Sequence, residues 1–226
     1  MHDVSFQIRK GEVLGFAGLI GAGRTELAEL LFGVKRKTGG GVVLNGKECD
    51  PKSPREAIDK GIALVPEDRK KQGALLDIDI RGNISMAIIE RISRLFTVNK
   101  REEQRIGNYY KDAMRIKTPS IEQKIKNLSG GNQQKVIIAR WLASEPTLVI
   151  FDEPTRGIDV GAKSEIYALV NELVESGKAV LMISSEMEEV MGMSDRIIVL
   201  REGRISGMLN RKEFNQETIM AFASRS

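Results

Sequence analysis

The sequence predicts an α/β protein: a mostly parallel sheet core, antiparallel β-structure at its margin and a helical subdomain. Three observations predict it. Short apolar runs at Val13–Ala17, Thr147–Phe151 and Ala179–Ile183 have the length and composition of strands buried on both faces. Amphipathic helical patterns follow these runs, and that alternation builds a parallel sheet. From Gly73 to Thr118 the texture changes to charged helical sequence without obvious strands. A chain of 226 residues, 41% of them hydrophobic, can bury one substantial core with an appended subdomain. The expected organisation is one domain over residues 1–226 with the helical subdomain at about 73–135.

In chain order, Asp3 to Ile8 alternates as a strand would, and Gly11 turns the chain into the run Val13–Ala17. A glycine-rich loop follows, then a helix over Glu26 to Phe32 with Leu27, Leu30 and Leu31 at helical spacing and Gly33 ending it. Gly41–Leu44 and Lys47–Cys49 read as a hairpin across Asn45-Gly46, a pair suited to a two-residue turn. Ser53 caps and Pro54 starts a helix reaching Lys60, and Ile62–Val65 is a buried strand ending in the charged turn Pro66 to Arg69. Helices are expected over Asn83–Ser93 and Lys100–Met114, the second packing a face of Ile106, Tyr109, Tyr110, Ala113 and Met114. Ser129-Gly130-Gly131 opens a helix reaching Ala143, and Lys163–Glu175 is amphipathic through Ile166, Leu169, Val170 and Leu173. After Ala179–Ile183 come a short helix to Met193, a hairpin of Arg196–Leu200 with Arg204–Leu209, and a terminal helix over Phe214–Ala223.

Composition excludes several classes of function. Thirty-five basic and 31 acidic residues leave a net charge of +4. The basic clusters, such as Lys35-Arg36-Lys37 and Arg69-Lys70-Lys71, are short and scattered, unlike a nucleic-acid footprint gathered on one element. One cysteine, Cys49, excludes an internal disulfide and suits a reducing compartment. No apolar run approaches the roughly 20 residues of a membrane span, so a membrane role is expected to be peripheral. The only histidine is His2, which argues against a histidine-ligated zinc site or a histidine-based triad.

Two phosphate-handling devices stand out. Gly18 to Thr25 fits the G-x-x-x-x-G-K-[ST] pattern between a strand and a helix, except that Arg24 stands where lysine is expected. Such a loop wraps backbone N–H groups around phosphates while the Thr25 hydroxyl binds Mg²⁺. The strand ending at Phe151 delivers Asp152 and Glu153 to its C-terminal tip, where α/β sheets bind ligands. Asp152 would hold the metal ion, and Glu153 would orient or deprotonate the water that attacks a γ-phosphate. Ser129-Gly130-Gly131 is a second cradle, where unpaired N–H groups and the helix dipole favour an anion. One chain rarely needs both for one nucleotide. A head-to-tail pair, each cradle closing over the other's loop, is the economical arrangement. The bland alternatives are a bare glycine turn at Gly18–Gly23 and an ordinary surface loop at Pro66–Arg69.

Taken together, Gly18–Thr25, Leu128–Gln134, Thr147–Glu153 and Gly157–Asp159 resemble the Walker A, signature, Walker B and D-loop motifs of the ATP-binding cassette family of P-loop NTPases. The runs Asp152–Lys163, Pro66–Lys70 and Ser184–Met187 are similar to the second, C-terminal cassette of tandem ATPase subunits of bacterial monosaccharide importers of the ribose, galactose and xylose type. The resemblance implies ATP and Mg²⁺ as cofactors. Nucleotide contacts would come from Gly18, Gly21, Ala22, Gly23, Arg24, Thr25 and Glu26, from Ser129, Gly130, Gly131, Asn132 and Gln133, and from Asp159. Thr25, Asp152 and Glu67 fall at metal positions; Glu153 and Ser185 fall at catalytic ones. Implied partners are an N-terminal cassette of the same or a second chain, transmembrane permease subunits and, indirectly, a periplasmic or extracellular sugar-binding protein, with no nucleic acid. The implied location is peripheral, on the cytoplasmic face of the bacterial inner membrane.

Departures from the family pattern carry the mechanism. Arg24 replaces the Walker lysine, Glu67 the Q-loop glutamine and Ser185 the switch histidine. A forked guanidinium is bulkier than an ammonium point charge. Losing one preorganised transition-state contact costs about 10²- to 10³-fold in rate. The chain's own site is therefore expected to be slow, while its signature turn completes a competent site on the other cassette. The adenine-stacking aromatic normally lies on a strand preceding Met1, so that first strand is expected to be missing here. A non-hydrolysing dimerisation module, and a soluble cassette ATPase acting on nucleic acid or ribosomes, remain as alternative functions.

Overall fold

The computed structural model describes residues 1–224. Its first half contains β1 (Val13–Ala17), α1 (Arg24–Leu31), β2 (Val43–Leu44), β3 (Lys47–Glu48), α2 (Pro54–Asp59), β4 (Ile62–Val65), α3 (Ile80–Ser85), β5 (Ser93–Arg94), β6 (Thr97–Val98) and α4 (Lys100–Ala113). There follow α5 (Gly130–Leu142), β7 (Leu148–Asp152), α6 (Val160–Glu175), β8 (Ala179–Ile183), α7 (Met187–Met193), β9 (Arg196–Arg201), β10 (Arg204–Asn210) and α8 (Gln216–Ser224).

Six strands form one sheet in the order β10-β9-β1-β8-β7-β4. β1 is parallel to β8 and β9, β7 is parallel to β8, and β10 returns antiparallel to β9. Every residue of β1, β7 and β8 is buried, which is why these strands read as apolar runs without alternation. The register sets Phe16 beside Ile183 and Asp152 beside Ile183. The C-terminal ends of three neighbouring strands thus stand together, each followed by a loop expected to carry chemistry.

The chain divides into two units, the first made of Met1–Leu64, Thr147–Glu153 and Val170–Ser226, the second of Val65–Pro146 and Pro154–Leu169. In the first, Ala17, Val190, Ile197, Val199, Leu209, Ile219 and Ala223 form a buried cluster against which Met187, Met191, Phe214 and Phe222 pack. Burying such an aliphatic side chain stabilises by about 1.5–3 kcal/mol. In the second, α3 packs on α4 and α5, and Ile80, Ile84, Ile125 and Ile138 are fully buried. The Arg140 guanidinium is buried there too, donating to Gly73 O, Asn83 O and Asn83 Oδ1 at 2.6–2.8 Å. Burial pushes its pKa down to about 10. No helix among the described residues is long and apolar enough to cross a membrane.

Local rules account for many boundaries. Ser53 accepts from Glu56 N with Pro54 at the first helical position, and Gly33, at φ 73°, ends α1. Four expectations need correction. Residues 3–8 form no strand: Val4, Phe6 and Ile8 alternate as half-buried residues. This segment is held by Phe6 edge-on to Phe16 at 5.1 Å and by Arg196 donating to Gln7 O, not by a ladder.

The helix expected over Asn83–Ser93 begins instead at Ile80. Asp79 caps it, accepting from Gly82 N at 2.6 Å, while the Asn83 amide donates to Leu75 O, Ile78 O and Asp79 O. After Ser85 the helix tightens to a 3₁₀ turn, and β5 and β6 form a hairpin where no strands were expected. On α4, Ile106 and Met114 are buried but Ala113 is exposed and Tyr109 is 62% exposed, its ring edge-on to Tyr110 at 5.0 Å. The contact face is narrower than the pattern suggests because α4 approaches its neighbours at Gly107, close to Arg81 and Ile121.

Candidate functional site

In the first unit, β1 ends at Ala17 and the chain turns through Gly18, Gly21 and Gly23, all at positive φ (152°, 84° and 101°). A Cβ on Gly18 would lie 2.4 Å from Leu200 O, so that glycine is fixed by close backbone approach. A Cβ on Gly21 would meet nothing within 4 Å, and it would project into the open space above the loop. Gly23 starts α1 without any side-chain cap, leaving the helix's first N–H groups to another acceptor. Ala22 and Gly23 are buried while Glu26 is exposed. A loop with free donors at a helix N-terminus is suited to phosphate.

Around it stand the polar residues of the neighbouring strand ends. Asp152 is 3% exposed, and its Oδ1 has no hydrogen-bond partner. Burial pushes its carboxyl up to about 6; the Thr25 hydroxyl, hydrogen-bonded to it, and Arg24 oppose the rise, while Glu153 adds to it. A buried oxygen without a donor, beside a threonine hydroxyl, fits a divalent cation, since Mg²⁺ binds through one or two such groups plus water and phosphate.

Arg24 Nη1 donates to Ser184 O at 2.6 Å, and Nη2 faces Glu153 Oε1 at 3.9 Å, with both side chains only 10% exposed. Ser185 Oγ donates to Glu153 Oε2 at 3.0 Å. Glu153 itself sits at φ 50°, a conformation costing a non-glycine residue about 1–3 kcal/mol. Its carboxylate is thus held from both sides, by a cation and by a hydroxyl.

In the second unit, Ser129 is the N-cap of α5 and is exposed. Its Oγ accepts from Asn132 Nδ2 at 2.9 Å, and Asn132 Oδ1 accepts from Lys117 N at 2.8 Å. Ser129, Gly131 and Asn132 line a cleft of about 270 Å³ together with Lys117, Asp159, Gly161, Ala162 and Glu165. Asp159 accepts from Ala162 N at 3.0 Å and so starts α6 three residues before Lys163. Gln133 is turned inward, 7% exposed, donating to Ile125 O and Leu128 O. It braces the turn rather than facing the cleft. The glycines also have packing reasons: a Cβ on Gly131 would lie 2.4 Å from that of Ala162, and one on Gly130 would lie 3.1 Å from Arg69 Nη2.

Glu67 also belongs to this unit, where it pairs with Arg156. A metal would have to compete with that cation for the carboxylate. Sequence reasoning passed over three residues here: Arg69, Arg156 and Lys117. Arg69 lies on Gly130 with Nε and Nη1 buried and unbonded, and burial lowers its pKa. Its position inside a charged turn was the available signal. Asp68, next to it, caps a π-helical turn over Arg69–Gly73 by accepting from Lys70 N and Lys71 N.

Comparison with known proteins adds independent findings. The profile of a family described as "ABC transporter" matches residues 1–156. The chain is 54% identical to a ribose import ATP-binding protein of Clostridium perfringens, over 99% of its own length and 45% of the relative's. It is 51% identical to a xylose import ATP-binding protein of Moorella thermoacetica, over 99% of itself and 44% of the relative. The chain thus spans about half the length of these relatives. Among solved structures, a nucleotide-free ATP-binding cassette from an ABC transporter superposes with a TM-score of 0.84 at 21% identity, covering 99% of this chain and 92% of the other. The cassette cbiO1 of Clostridium perfringens does so at 0.76 and 24%, covering 93% and 81%. These structural likenesses carry the fold.

Proposed function

Because this chain belongs to the ABC transporter family, we propose that it is the second ATP-binding cassette of a bacterial importer for ribose- or xylose-like monosaccharides. In this reading it works with a first cassette, membrane permease subunits and a sugar-binding protein, on the cytoplasmic side of the membrane. Its second unit serves as the helical subdomain.

The loop Gly18–Thr25 binds the phosphates of ATP, and Thr25 with Asp152 would hold Mg²⁺, which would neutralise phosphate charge. Glu153 is the general base for the attacking water. The observation that carries the reading of an impaired own site is Arg24: its guanidinium is anchored on Ser184 O and faces Glu153. A base with one oxygen facing a fixed cation and the other taken by a serine hydroxyl is poorly placed to receive the proton of an attacking water. Ser129, exposed beside its cleft, would meanwhile complete the nucleotide site of the other cassette.

The test uses the full-length protein with both cassettes. Ser129→Ala is expected to lower transport-coupled ATPase activity more than Arg24→Ala does, and the opposite ranking rejects the asymmetric reading. The Arg24–Glu153 contact also favours a second reading, in which this half binds ATP without hydrolysing it. With the first cassette's site disabled, complete retention of ATP through a single turnover supports that version, and steady product release refutes it.

A further inference from the structure

Among the described residues, three two-residue hairpin turns have positive φ at both central positions. Two use Asn45-Gly46 (52° and 75°) and Glu202-Gly203 (48° and 73°), with the glycine such turns require. The third, between β5 and β6, uses Leu95-Phe96 at 49° and 62°. Bulky residues in this conformation are strained, and here no packing offsets the strain, because Leu95 is 86% and Phe96 107% exposed. The hairpin spends backbone energy to hold two apolar side chains in water.

Their surroundings are basic. From Arg91 to Arg101 the sequence contains Arg91, Arg94, Lys100 and Arg101 and no acidic residue, and all four cations are exposed. Arg91 is tied to Ala143 O and Glu145. Lys100 and Arg101 occupy the first turn of α4, where the helix dipole disfavours cations, so helix stability does not explain them. The acids that follow are already engaged, Glu102 by Arg105 and Glu103 by Arg81. Arg94, Lys100 and Arg101 thus flank the tip in sequence while the nearby acids of α4 are paired with other cations.

We propose that the Leu95-Phe96 tip is a membrane wedge that inserts into an anionic lipid surface, with Arg94, Lys100 and Arg101 bound to its headgroups. An exposed apolar tip flanked by exposed cations matches the boundary between acyl chains and anionic headgroups. A protein partner would need a concave apolar pocket shaped to the projecting tip. A single small wedge binds reversibly, as suits a subunit held elsewhere by protein contacts.

The test is co-sedimentation of the full chain with vesicles of phosphatidylcholine alone and of an equal mixture with phosphatidylglycerol. Binding to the mixture is expected, weakened by salt. The variant L95N/F96G installs the turn pair the chain already uses at positions 45 and 46. It should keep or raise the melting temperature while lowering partitioning by about tenfold. R94E/R101E should lower it by at least about fivefold for each cation removed. Equal binding to both vesicle types, no binding to either, wild-type binding by L95N/F96G, or a lower melting temperature in that variant each overturns the proposal. Purified permease that binds the wild type but not L95N/F96G, with vesicles bound by neither, overturns it in favour of a protein pocket.

Discussion

Ser185 donates its hydroxyl to Glu153 Oε2 at 3.0 Å, on the side of the carboxylate opposite the oxygen that faces Arg24. Glu153 is therefore held in place by two residues, one at each carboxylate oxygen. The double change Arg24→Lys with Ser185→His restores the family pattern at both positions. It is expected to raise single-turnover ATP hydrolysis by this cassette by at least about tenfold when the other cassette's site is disabled. No gain in rate would show that the impairment lies elsewhere.

Asp152 offers a pH signature without any nucleotide. Its carboxyl titrates near 6 in the folded chain, chiefly because it is buried, against 3.8 as the ordinary value. The folded state then binds the proton more tightly than the unfolded state does, so stability falls as pH rises from about 4 to about 6 and stays lower above that window. Asp152→Asn removes the buried charge. The variant is expected to be more stable than the parent by about 1–3 kcal/mol at pH 7, with the difference fading near pH 4. Thermal melts across that range check it, and equal melting temperatures at pH 7 would falsify the account. The same variant should bind Mg²⁺ with ATP more weakly.

Where a residue's neighbours in sequence decide its conformation, the fold was legible. β1 and β8 fall on their apolar runs, Ser53 caps α2, Ser129 caps α5, and Asp152-Glu153 end a buried strand. The glycine-rich loop and the acidic strand end were legible for the same reason, being short motifs on one strand and one loop each. The start of α3 was not: both Asp79 and Asn83 are good caps, and only the carbonyls of Leu75 and Ile78 decide that Asn83 is spent inside. Nor was the Leu95-Phe96 hairpin, whose turn lacks the glycine that signals one. The contacts of Arg24 with Ser184 O, and of Arg69 with Gly130, join residues far apart in sequence that only the fold brings together.

Arg140 tests how the second unit is held. Its three donors serve Gly73 O, Asn83 O and Asn83 Oδ1, acceptors on the segment that leads into α3 and on α3 itself. Arg140→Met fills much of the volume but takes a donor from each of these oxygens, of which Asn83 Oδ1 keeps Leu75 N. A loss of about 2–3 kcal/mol in unfolding free energy is expected. Arg140→Lys should recover little of it, because one ammonium cannot reproduce the guanidinium fork. Chemical denaturation of the chain measures both, and a lysine variant as stable as the parent would show that charge alone suffices.

The two glycines of the signature turn make separable predictions. A methyl group on Gly131 would sit 2.4 Å from the Ala162 Cβ, a contact between atoms carried directly by two helices, so relief requires the backbones to move. Overpacking of that kind costs about 1–3 kcal/mol. On Gly130 the methyl would meet the Arg69 guanidinium at 3.1 Å, the far end of a flexible side chain that can swing away. Gly131→Ala is therefore expected to lower the melting temperature of the chain without nucleotide, while Gly130→Ala leaves it nearly unchanged. If the turn also completes the other cassette's site, Gly130→Ala should still reduce ATP turnover in the full-length protein, because the added methyl narrows the approach to the α5 N–H groups. A Gly130→Ala protein with normal melting and normal turnover would leave that glycine without a role in binding phosphate.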